Sequence, residues 1–300
     1  MNAGSEAKRV TVVTVSYNSA DVLERMLSSL PPSVATIVVD NGGSDAVADV
    51  AHRFGARLVR LETNAGFGRG CNAGAALSSS EFIFFVNPDA IVVESAIEAL
   101  VAFFDAEPTA AAANPRILDG RGKQRFRGRS LLSQRTASVG KRTPAVATEV
   151  PTLLGSAFFC RRTAFEAVGG FDPAIFLYHE DDDLAVRIGQ TGGRLFFVPQ
   201  ATVKHQGGHS SGRSHAIARL KGYHMARARA HVMAKHGRQF AVTRTIVRAS
   251  VEALLPHNLF SARRRAKHIG QLLGAWSAIR DGGAYHAPLV SAEISHMDRR

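Results

Sequence analysis

The chain has 300 residues, 45% hydrophobic and 21% charged, with a formal net charge of +12, which allows one large α/β domain with an extension. Its two cysteines exclude a disulfide framework and a cysteine-based zinc site, and they favour a reducing compartment. The first residues carry no apolar signal segment, and no apolar run approaches the roughly 18 to 20 residues of a membrane span, so we expect a cytoplasmic protein.

Strands and helices alternate along the first part of the chain. Runs of apolar and β-branched residues predict four strands, at residues 10–18, 35–43, 56–62 and 81–89. A helix from about Ala20 follows the first strand, and helical segments separate the others. This βαβ order predicts a parallel sheet.

The pattern becomes less regular beyond the fourth strand. A helix is expected near residues 94–104, followed by a Gly- and Arg-rich loop at residues 119–142 that lacks a clear period. Because long irregular loops often cover binding sites, we predict that this one is a mobile lid. A further strand is expected at residues 153–162.

Two of the predicted strands end in an aspartate. Asp40 closes the second strand, and Asp89 follows Pro88, which cannot continue a strand ladder. A lone Asp after a strand is more often a turn former or a helix cap than a ligand. Because both lie at equivalent ends of what should be neighbouring parallel strands, we expect them to converge on one crevice.

A glycine-rich stretch lies between these strand ends. Gly66, Gly68 and Gly70 suggest a dinucleotide fingerprint, but Cys71 stands where that pattern requires another small residue. A glycine-rich turn before a helix can still let backbone amides approach an anion. The alternative is a plain strand-to-helix connection.

Four consecutive acids, Glu180 to Asp183, are unusual in so basic a chain. They indicate a bound cation or a proton-transfer task. If a helix begins at Glu180, the acids stabilise its N-terminus and Asp183 can pair with Arg187, a role that needs no chemistry. The spacing excludes an EF-hand.

Short polar motifs occur in order between residues 9 and 210. They are Val15-Ser16-Tyr17-Asn18, Asp40-Asn41 with Ser44-Asp45, Asn64-x-Gly66-Phe67 with Asn72-x-Gly74, Asn87-Pro88-Asp89, Gly169-Gly170-Phe171-Asp172, Tyr178-x-Glu180-Asp181-x-Asp183-Leu184 with Arg187, and His205 with Ser210. The ordered set resembles the inverting nucleotide-sugar glycosyltransferases of family 2, and in particular their rhamnosyltransferase-like branch. Gly43 departs from the pattern, since the family usually has a residue such as Ser there.

The resemblance implies a GT-A fold. A Rossmann-like, mostly parallel sheet flanked by helices would form a catalytic domain at residues 9–210, and a basic helical extension would occupy residues 211–300. Within the domain, Asp40 would hold the nucleotide base, in a pocket lined by Tyr17 and Asn18. The full set of implied nucleotide-binding residues is Ser16, Tyr17, Asn18, Asp40, Asn41, Asn64, Gly66, Asn72 and Asn87.

The resemblance also implies the chemistry. Asp89, with His205 as a second contact, would bind Mg²⁺ or Mn²⁺ bridging the sugar diphosphate. Asp181 would be the general base, with Glu180 and Asp183 positioning the acceptor or the base itself. The substrates would be a nucleotide-sugar donor, dTDP-rhamnose by the branch resemblance, and a glycan or lipid-linked acceptor in cell-surface polysaccharide synthesis.

Three other functions are compatible with parts of the sequence. A nucleotidyltransferase would share the nucleotide-binding sheet, but its usual Gly-rich loop with Arg and a distal Lys is not seen near the first strand. A glycoside hydrolase uses two carboxylates but needs neither metal nor nucleotide. A non-enzymatic nucleic-acid binder would explain the basic extension but none of the ordered carboxylates, so we expect no nucleic-acid partner.

The positive charge is concentrated between Arg213 and Arg280, where acidic residues nearly vanish. Arg263-Arg264-Arg265 and Lys267 lie beside apolar residues at roughly helical spacing, which are Leu254, Leu255, Leu259, Phe260, Ile269, Leu272, Leu273 and Trp276. The pattern predicts a basic amphipathic helix that binds an anionic membrane surface peripherally, at the inner face of the plasma membrane. The alternative is that the apolar stripe packs on the catalytic domain.

Overall fold

The computed structural model describes residues 6–132, 139–140, 142–207, 214–255, 258 and 260–280. In this part of the chain the strands are β1 (Val10–Ser16), β2 (Ala35–Asp40), β3 (Arg57–Arg60), β4 (Phe82–Val86), β5 (Ala90–Val92), β6 (Ala110–Asp119), β7 (Gln124–Arg125), β8 (Thr148–Glu149), β9 (Ala157–Arg161) and β10 (Arg194–His205). The helices are α1 (Ala20–Ser28), α2 (Asp45–Arg53), α3 (Phe67–Ala75), α4 (Ala96–Ala106), α5 (Arg162–Ala167), α6 (Glu180–Gln190), α7 (His215–Lys235), α8 (Ala241–Leu254) and α9 (Ala262–Arg280).

The strands form one sheet in the order β3-β2-β1-β4-β9-β6-β10-β5, with β7 paired to β6 and β8 to β10. Strands β1 to β4 are mutually parallel where they pair, as the sequence predicted. The strand expected at residues 153–162 is β9, and it runs antiparallel between β4 and β6. The short β5 is also antiparallel to its neighbour β10, so the half of the sheet beyond β4 is mixed.

Strand β4 is the centre of the core, because both of its faces are covered by helices. Phe82 and Phe84 point into a cluster with α1, α2 and α4, while Ile83 and Phe85 point into the opposite cluster with α3, α5 and α6. An apolar residue is therefore needed at every position of the strand. Aromatic contacts also join β4 to the antiparallel β9, since the rings of Phe82 and Phe159 stack with centroids 5.1 Å apart.

The C-terminal extension is a bundle of α7, α8 and α9. Helices α7 and α9 approach so closely that a Cβ at Gly222 would collide with the carbonyl oxygen of Lys267, and one at Gly270 with that of Arg219. The buried face of α9 therefore consists largely of small residues, and its large apolar side chains point outward. None of the described helices is both long and apolar enough to cross a bilayer.

Charged side chains fasten α7 to the sheet domain. The buried carboxylate of Asp183 on α6 accepts hydrogen bonds from Arg187, at 2.8 Å, and from His236, at 2.9 Å, and it lies 2.9 Å from the ammonium of Lys235. Lys235 also lies 2.6 Å from Asp172. The predicted pairing of Asp183 with Arg187 is thus confirmed, and the same carboxylate positions the extension over α6.

The predicted lid is only partly described, since residues 133–138 and 141 lie outside the described part of the chain, as do Ser210 and Leu259 of the sequence motifs. Its described portion is tied to the acidic cluster, because Ser130 donates a hydrogen bond to Asp182 at 2.9 Å. The mobility of this loop stays a prediction.

Candidate active site

The two strand-end aspartates lie at the same edge of the sheet. Strands β2 and β4 flank β1, and Asp40 is directly opposite Ser16 in the parallel register. Asp40 is completely buried; its Oδ1 accepts the N–H of Gly42 at 3.1 Å, and its Oδ2 accepts no hydrogen bond and lies 3.5 Å from Arg60 Nε. A buried carboxylate oxygen of this kind can accept a hydrogen bond from a ligand.

Tyr17 and Asn18 lie beside Asp40, as expected for one pocket. A Cβ at Gly42 would be 3.0 Å from the Tyr17 ring and 3.2 Å from Asn18 Oδ1, so the glycine lets these two segments approach closely. Asn18 has a positive φ of 50°, which turns the chain at the end of β1. The Ser16 hydroxyl is buried and bonded to the Ser19 hydroxyl at 2.8 Å.

The asparagines of the glycine-rich stretch hold loops together. Asn41 donates to Asn64 Oδ1 at 2.9 Å and to the Gly66 carbonyl at 3.2 Å, and its own Oδ1 accepts the N–H of Ala65. Asn72 forms a pair of hydrogen bonds with the backbone of Phe171, at 2.8 and 2.9 Å. These side chains therefore shape the pocket wall, and nucleotide contact by them stays a prediction.

The glycines of the same stretch allow close packing. Gly70 and Gly74 on α3 lie against Val15 and Val13 of β1, where a Cβ would overlap the valine side chains. At the start of α3, the N–H of Phe67 already donates to the Phe176 carbonyl at 3.0 Å. This geometry favours the structural alternative for the glycines over anion binding by that amide.

Asp89 and His205 come together although they lie far apart in the sequence. His205 Nε2 is 3.0 Å from Asp89 Oδ1 and 3.3 Å from Asn87 Nδ2. The antiparallel pairing of β10 with β5 sets His205 opposite Ala90, directly after Asp89. A carboxylate and an imidazole fit part of the coordination shell of a divalent cation. No group of three or more His, Cys, Asp or Glu side chains arranged for a metal occurs among the described residues.

The four acids do begin a helix, and the helix divides them into two pairs. Tyr178 and His179 both have positive φ, of 72° and 65°, and turn the chain sharply into α6. Asp182 and Asp183 point into the protein. Asp182 accepts hydrogen bonds from Ser130 and Thr152, both at 2.9 Å, and is paired with His179. Burial alone would raise the pKa of Asp182, but His179 and Arg127 outweigh it and lower the pKa to about 2.

Glu180 and Asp181 instead line a cavity. Asp181 Oδ2 accepts the N–H of Gly155 at 3.1 Å and lies 3.5 Å from Arg127 Nη1, whereas Glu180 Oε2 is buried and accepts no hydrogen bond. Burial and the charge of Asp181 raise the pKa of Glu180 to about 8. Burial and the charge of Asp182 raise the pKa of Asp181, and Arg127 opposes that rise.

The cavity measures ≈ 330 Å³ and lies between α6 and the three helices of the extension. Its lining residues are Arg127, Tyr178, His179, Glu180, Asp181, Met225, Ala226, Arg229, Thr245, Arg248, Ala249, Glu252, Lys267 and Gln271. The backbone connects it to the end of β4, because Gly155 beside Asp181 precedes Ser156, whose carbonyl accepts the N–H of Asn87 at 3.1 Å. Asp183 is not among the residues that line it.

Comparisons with known proteins identify the family. The family model for glycosyl transferase family 2 matches residues 11–169, more than half of the chain. The chain belongs to glycosyl transferase family 2. A model for the N-terminal domain of galactosyltransferase also matches residues 135–210.

Among the relatives of this glycosyltransferase, an N-acetylglucosaminyl-diphospho-decaprenol L-rhamnosyltransferase of Mycobacterium tuberculosis is 31% identical over 258 residues, covering 73% of this chain and 84% of the relative. A pre-mycofactocin glycosyltransferase of the same species is 29% identical, covering 68% of this chain and 44% of the relative. The resemblance and the enzyme class predicted from the sequence are therefore confirmed, and inverting transfer is typical of the family.

Solved structures support the GT-A-like fold. Residues 1–349 of Staphylococcus aureus TarS match with a TM-score of 0.54 and 17% identity, covering 91% of both chains. GalNAc-T7 with UDP, GalNAc and Mn²⁺ matches with a TM-score of 0.58 and 17% identity, covering 93% of this chain and 58% of that one. A Pyrobaculum calidifontis mannosyltransferase in complex with GDP-Man and Mn²⁺ has a TM-score of 0.54 and 16% identity, covering 90% and 86%.

The position of Arg127 generates a prediction about pH. A base that must be ionised gives kcat/KM an acid limb near its pKa. Because the charge of Arg127 lowers the pKa of Asp181, Arg127→Gln should raise that pKa and move the acid limb to higher pH. Arg129→Gln, an exposed arginine of the same loop, is the matched control and should leave the limb in place. An unmoved limb in Arg127→Gln would contradict a role for Asp181 as the ionised base.

Proposed function

We propose that the enzyme transfers a sugar from a nucleoside diphosphate donor to a hydroxyl of a glycan or lipid-linked acceptor in cell-surface polysaccharide synthesis. The observation that carries the proposal is the cavity lined by Glu180 and Asp181, which the segment Gly155-Ser156 connects to Asn87 at the end of β4. The sugar is rhamnose, from dTDP-rhamnose. The support for it is the 31% identity to a relative named as an L-rhamnosyltransferase.

The donor nucleotide would bind at the ends of β1 and β2. Asp40 Oδ2 is buried and accepts no hydrogen bond, so it can accept one from an N–H group of a pyrimidine base. Tyr17 and Asn18, which lie against Gly42, would line the same pocket. Loss of such a contact would leave a buried carboxylate oxygen without compensation, which explains how one aspartate can select a base.

Asp89 and His205 would hold Mg²⁺ or Mn²⁺, and diphosphate oxygens of the donor would complete the coordination, since Mg²⁺ is commonly bound by one or two carboxylates together with substrate phosphates. The ion would supply positive charge that stabilises the departing diphosphate. Two of the similar solved structures contain Mn²⁺, which supports a divalent metal.

Asp181 would take the proton of the acceptor hydroxyl as that oxygen attacks the anomeric carbon and the bond to the diphosphate breaks. The N–H groups of Gly155 and Asp182 hold its two oxygens in place, and Arg127 favours the ionised form. Glu180, whose pKa is about 8, would be largely protonated at neutral pH and able to donate a hydrogen bond to the acceptor. A single displacement of this kind inverts the anomeric configuration.

A donor screen tests the proposed function. Purified protein is incubated with nucleotide sugars, divalent metal and acceptor, and the products are analysed. Sugar transfer with release of a nucleoside diphosphate is expected, with dTDP-rhamnose giving the highest turnover. Release of pyrophosphate would instead indicate a nucleotidyltransferase, and preference for another donor would reject the rhamnose assignment alone.

Asp89→Ala should abolish metal-dependent donor binding and leave the fold intact, because Asp89, although buried, belongs to neither hydrophobic cluster of the sheet domain. Calorimetry with the nucleoside diphosphate and Mn²⁺ measures the affinity, and thermal unfolding checks the fold. Asp49→Ala, at an exposed position of α2, is the matched control and should bind like the wild type. Unchanged affinity in Asp89→Ala would reject the metal role.

Asp181→Asn should keep donor affinity within a few-fold and lose about 10²-fold or more in turnover, because an amide cannot accept the acceptor's proton. Single-turnover assays and calorimetry separate the two effects. Asp183→Asn is a useful contrast, since the contacts of Asp183 are with Arg187, Lys235 and His236, and its main effect should be a lower melting temperature. Near-wild-type transfer by Asp181→Asn would make Glu180 the candidate base.

The extension would bring the enzyme to an anionic membrane. Of the apolar residues in the predicted stripe, Leu254 is 74% exposed, Phe260 89% and Trp276 65%, so these side chains are not packed on the sheet domain. The arginines at positions 263 to 265 are exposed on the same segment. A basic surface with large exposed apolar side chains is typical of peripheral membrane contact.

Vesicle co-sedimentation should show binding to anionic but not to neutral liposomes, weakened by salt, because each basic residue near an anionic surface contributes about 1 kcal/mol. Replacing Arg263, Arg264 and Arg265 with Ser should reduce the bound fraction. A matched triple replacement of Arg121, Lys123 and Arg129, exposed on the sheet domain, should not. Equal recovery in the supernatant with both lipids would reject the membrane contact.

A further inference from the structure

The cavity beside Glu180 and Asp181 has a second wall that belongs entirely to the extension. Three basic residues, each from a different helix, line this wall: Arg229 from α7, Arg248 from α8 and Lys267 from α9. Acidic residues of α6 line the opposite side. The sheet-domain side of the cavity thus carries the carboxylates of Glu180 and Asp181, with Arg127 beside Asp181, and the extension side carries the group of cations.

The cations of this wall are only partly neutralised within the protein. Arg248 donates a hydrogen bond to Glu252 at 2.7 Å, and Glu252 is the acidic residue of the extension that lines the cavity. Arg229 is half-buried, and its Nε is buried and donates no hydrogen bond. Burial lowers the pKa of Arg229, and the nearby charge of Arg248 lowers it further. Grouped, partly desolvated cations are unfavourable unless an anion joins them.

We infer that this wall, formed by Arg229, Arg248 and Lys267, binds a phosphate or diphosphate group of the acceptor and so sets the acceptor's sugar hydroxyl against Asp181. The inference rests on the proposed function and narrows its acceptor to a sugar carried on a phosphate group. Arginine and lysine are the side chains that bind phosphate oxygens most effectively.

The anion could instead be the diphosphate of the donor, but the composition of the cavity favours the acceptor. The residues assigned to the donor, Asp40, Asp89 and His205, do not line the cavity, whereas the candidate base Asp181 does. The volume of ≈ 330 Å³ is at the lower end of the range of about 300–1,000 Å³ for small-molecule sites, which suits one sugar with its phosphate groups.

The surface beside the wall suits a lipid attached to that phosphate. On α8, Val247 and Val251 are exposed next to Arg248. An acceptor whose phosphate joins a sugar to an apolar chain would place its sugar in the cavity, its phosphate on the cations and its chain on this surface.

The first test compares two acceptors that carry the same sugar, one as an alkyl diphosphate ester and one as a neutral alkyl glycoside. Arg229→Gln and Lys267→Gln should each raise KM for the diphosphate acceptor by about tenfold, the worth of one charge-assisted hydrogen bond, and leave kcat/KM for the neutral acceptor unchanged. Arg244→Gln, an exposed arginine of α8 outside the cavity, is the matched control and should change neither. Equal effects on both acceptors would overturn the inference.

The second test does not depend on sugar transfer. Calorimetry with methyl diphosphate, in the presence of saturating nucleoside diphosphate and Mn²⁺, should detect a site in the wild type that Lys267→Gln weakens about tenfold. Thermal unfolding of Arg229→Gln and Lys267→Gln verifies that both fold. Weakened binding of the nucleoside diphosphate, with methyl diphosphate unaffected, would assign the cations to the donor and overturn the inference. Methyl diphosphate binding without any sugar transfer would reject the proposed function and retain the anion site.

Discussion

The buried carboxylate of Asp183 is the contact on which the arrangement of the active site depends. It has no exposure to solvent, and it joins Arg187 of its own helix to Lys235 and His236 at the end of α7. A single buried charge would be strongly unfavourable, but with these partners the desolvation of the carboxylate is offset. Because the partners come from two parts of the chain, the same interaction orients α6 and fastens the extension above it.

The fixed orientation of α6 places its four acids, Glu180 to Asp183, in two different environments. Successive helical residues point about 100° apart, so neighbours of identical chemistry meet different surroundings. Asp182 and Asp183 are directed to hydrogen-bond donors within the protein, whereas Glu180 and Asp181 are directed to the cavity. Asp182 and Asp183 are therefore held by contacts within the protein, while burial raises the pKa of Glu180 and of Asp181, and both results follow from the direction in which α6 begins.

Local patterns were sufficient to predict the parallel strands, the strand-end aspartates and the helix that begins at Glu180. The run from Phe82 to Val86 needed only its own composition, because a strand covered on both faces has no polar position. The composition of β9 predicted a strand but not its antiparallel direction, because that direction depends on its pairing with β4 and β6. The positions of Arg127, which pairs with Asp181, and of Lys267, which lines the same cavity, could not be predicted either, because both come from distant segments and leave no periodic signal in the sequence. For Asn41 and Asn72 the sequence motif predicted nucleotide contacts, but the contacts that the structure shows are with the protein's own loops.

The glycine contact between α7 and α9 also determines where Lys267 lies relative to α7. Gly222 lies against the carbonyl of Lys267, and Gly274 lies against that of Tyr223, so the main chain of one helix rests on the main chain of the other. At these glycines no side chain stands between the two helices, whereas further along Tyr223 and Arg227 of α7 contact Ser277 of α9. The Cα of Lys267 is therefore held at a separation from α7 that side-chain rearrangement cannot alter. Gly222, Gly270 and Gly274 thus set the width of the cavity, because a Cβ at any of them would collide with the main chain of the other helix and push Lys267 away from α7.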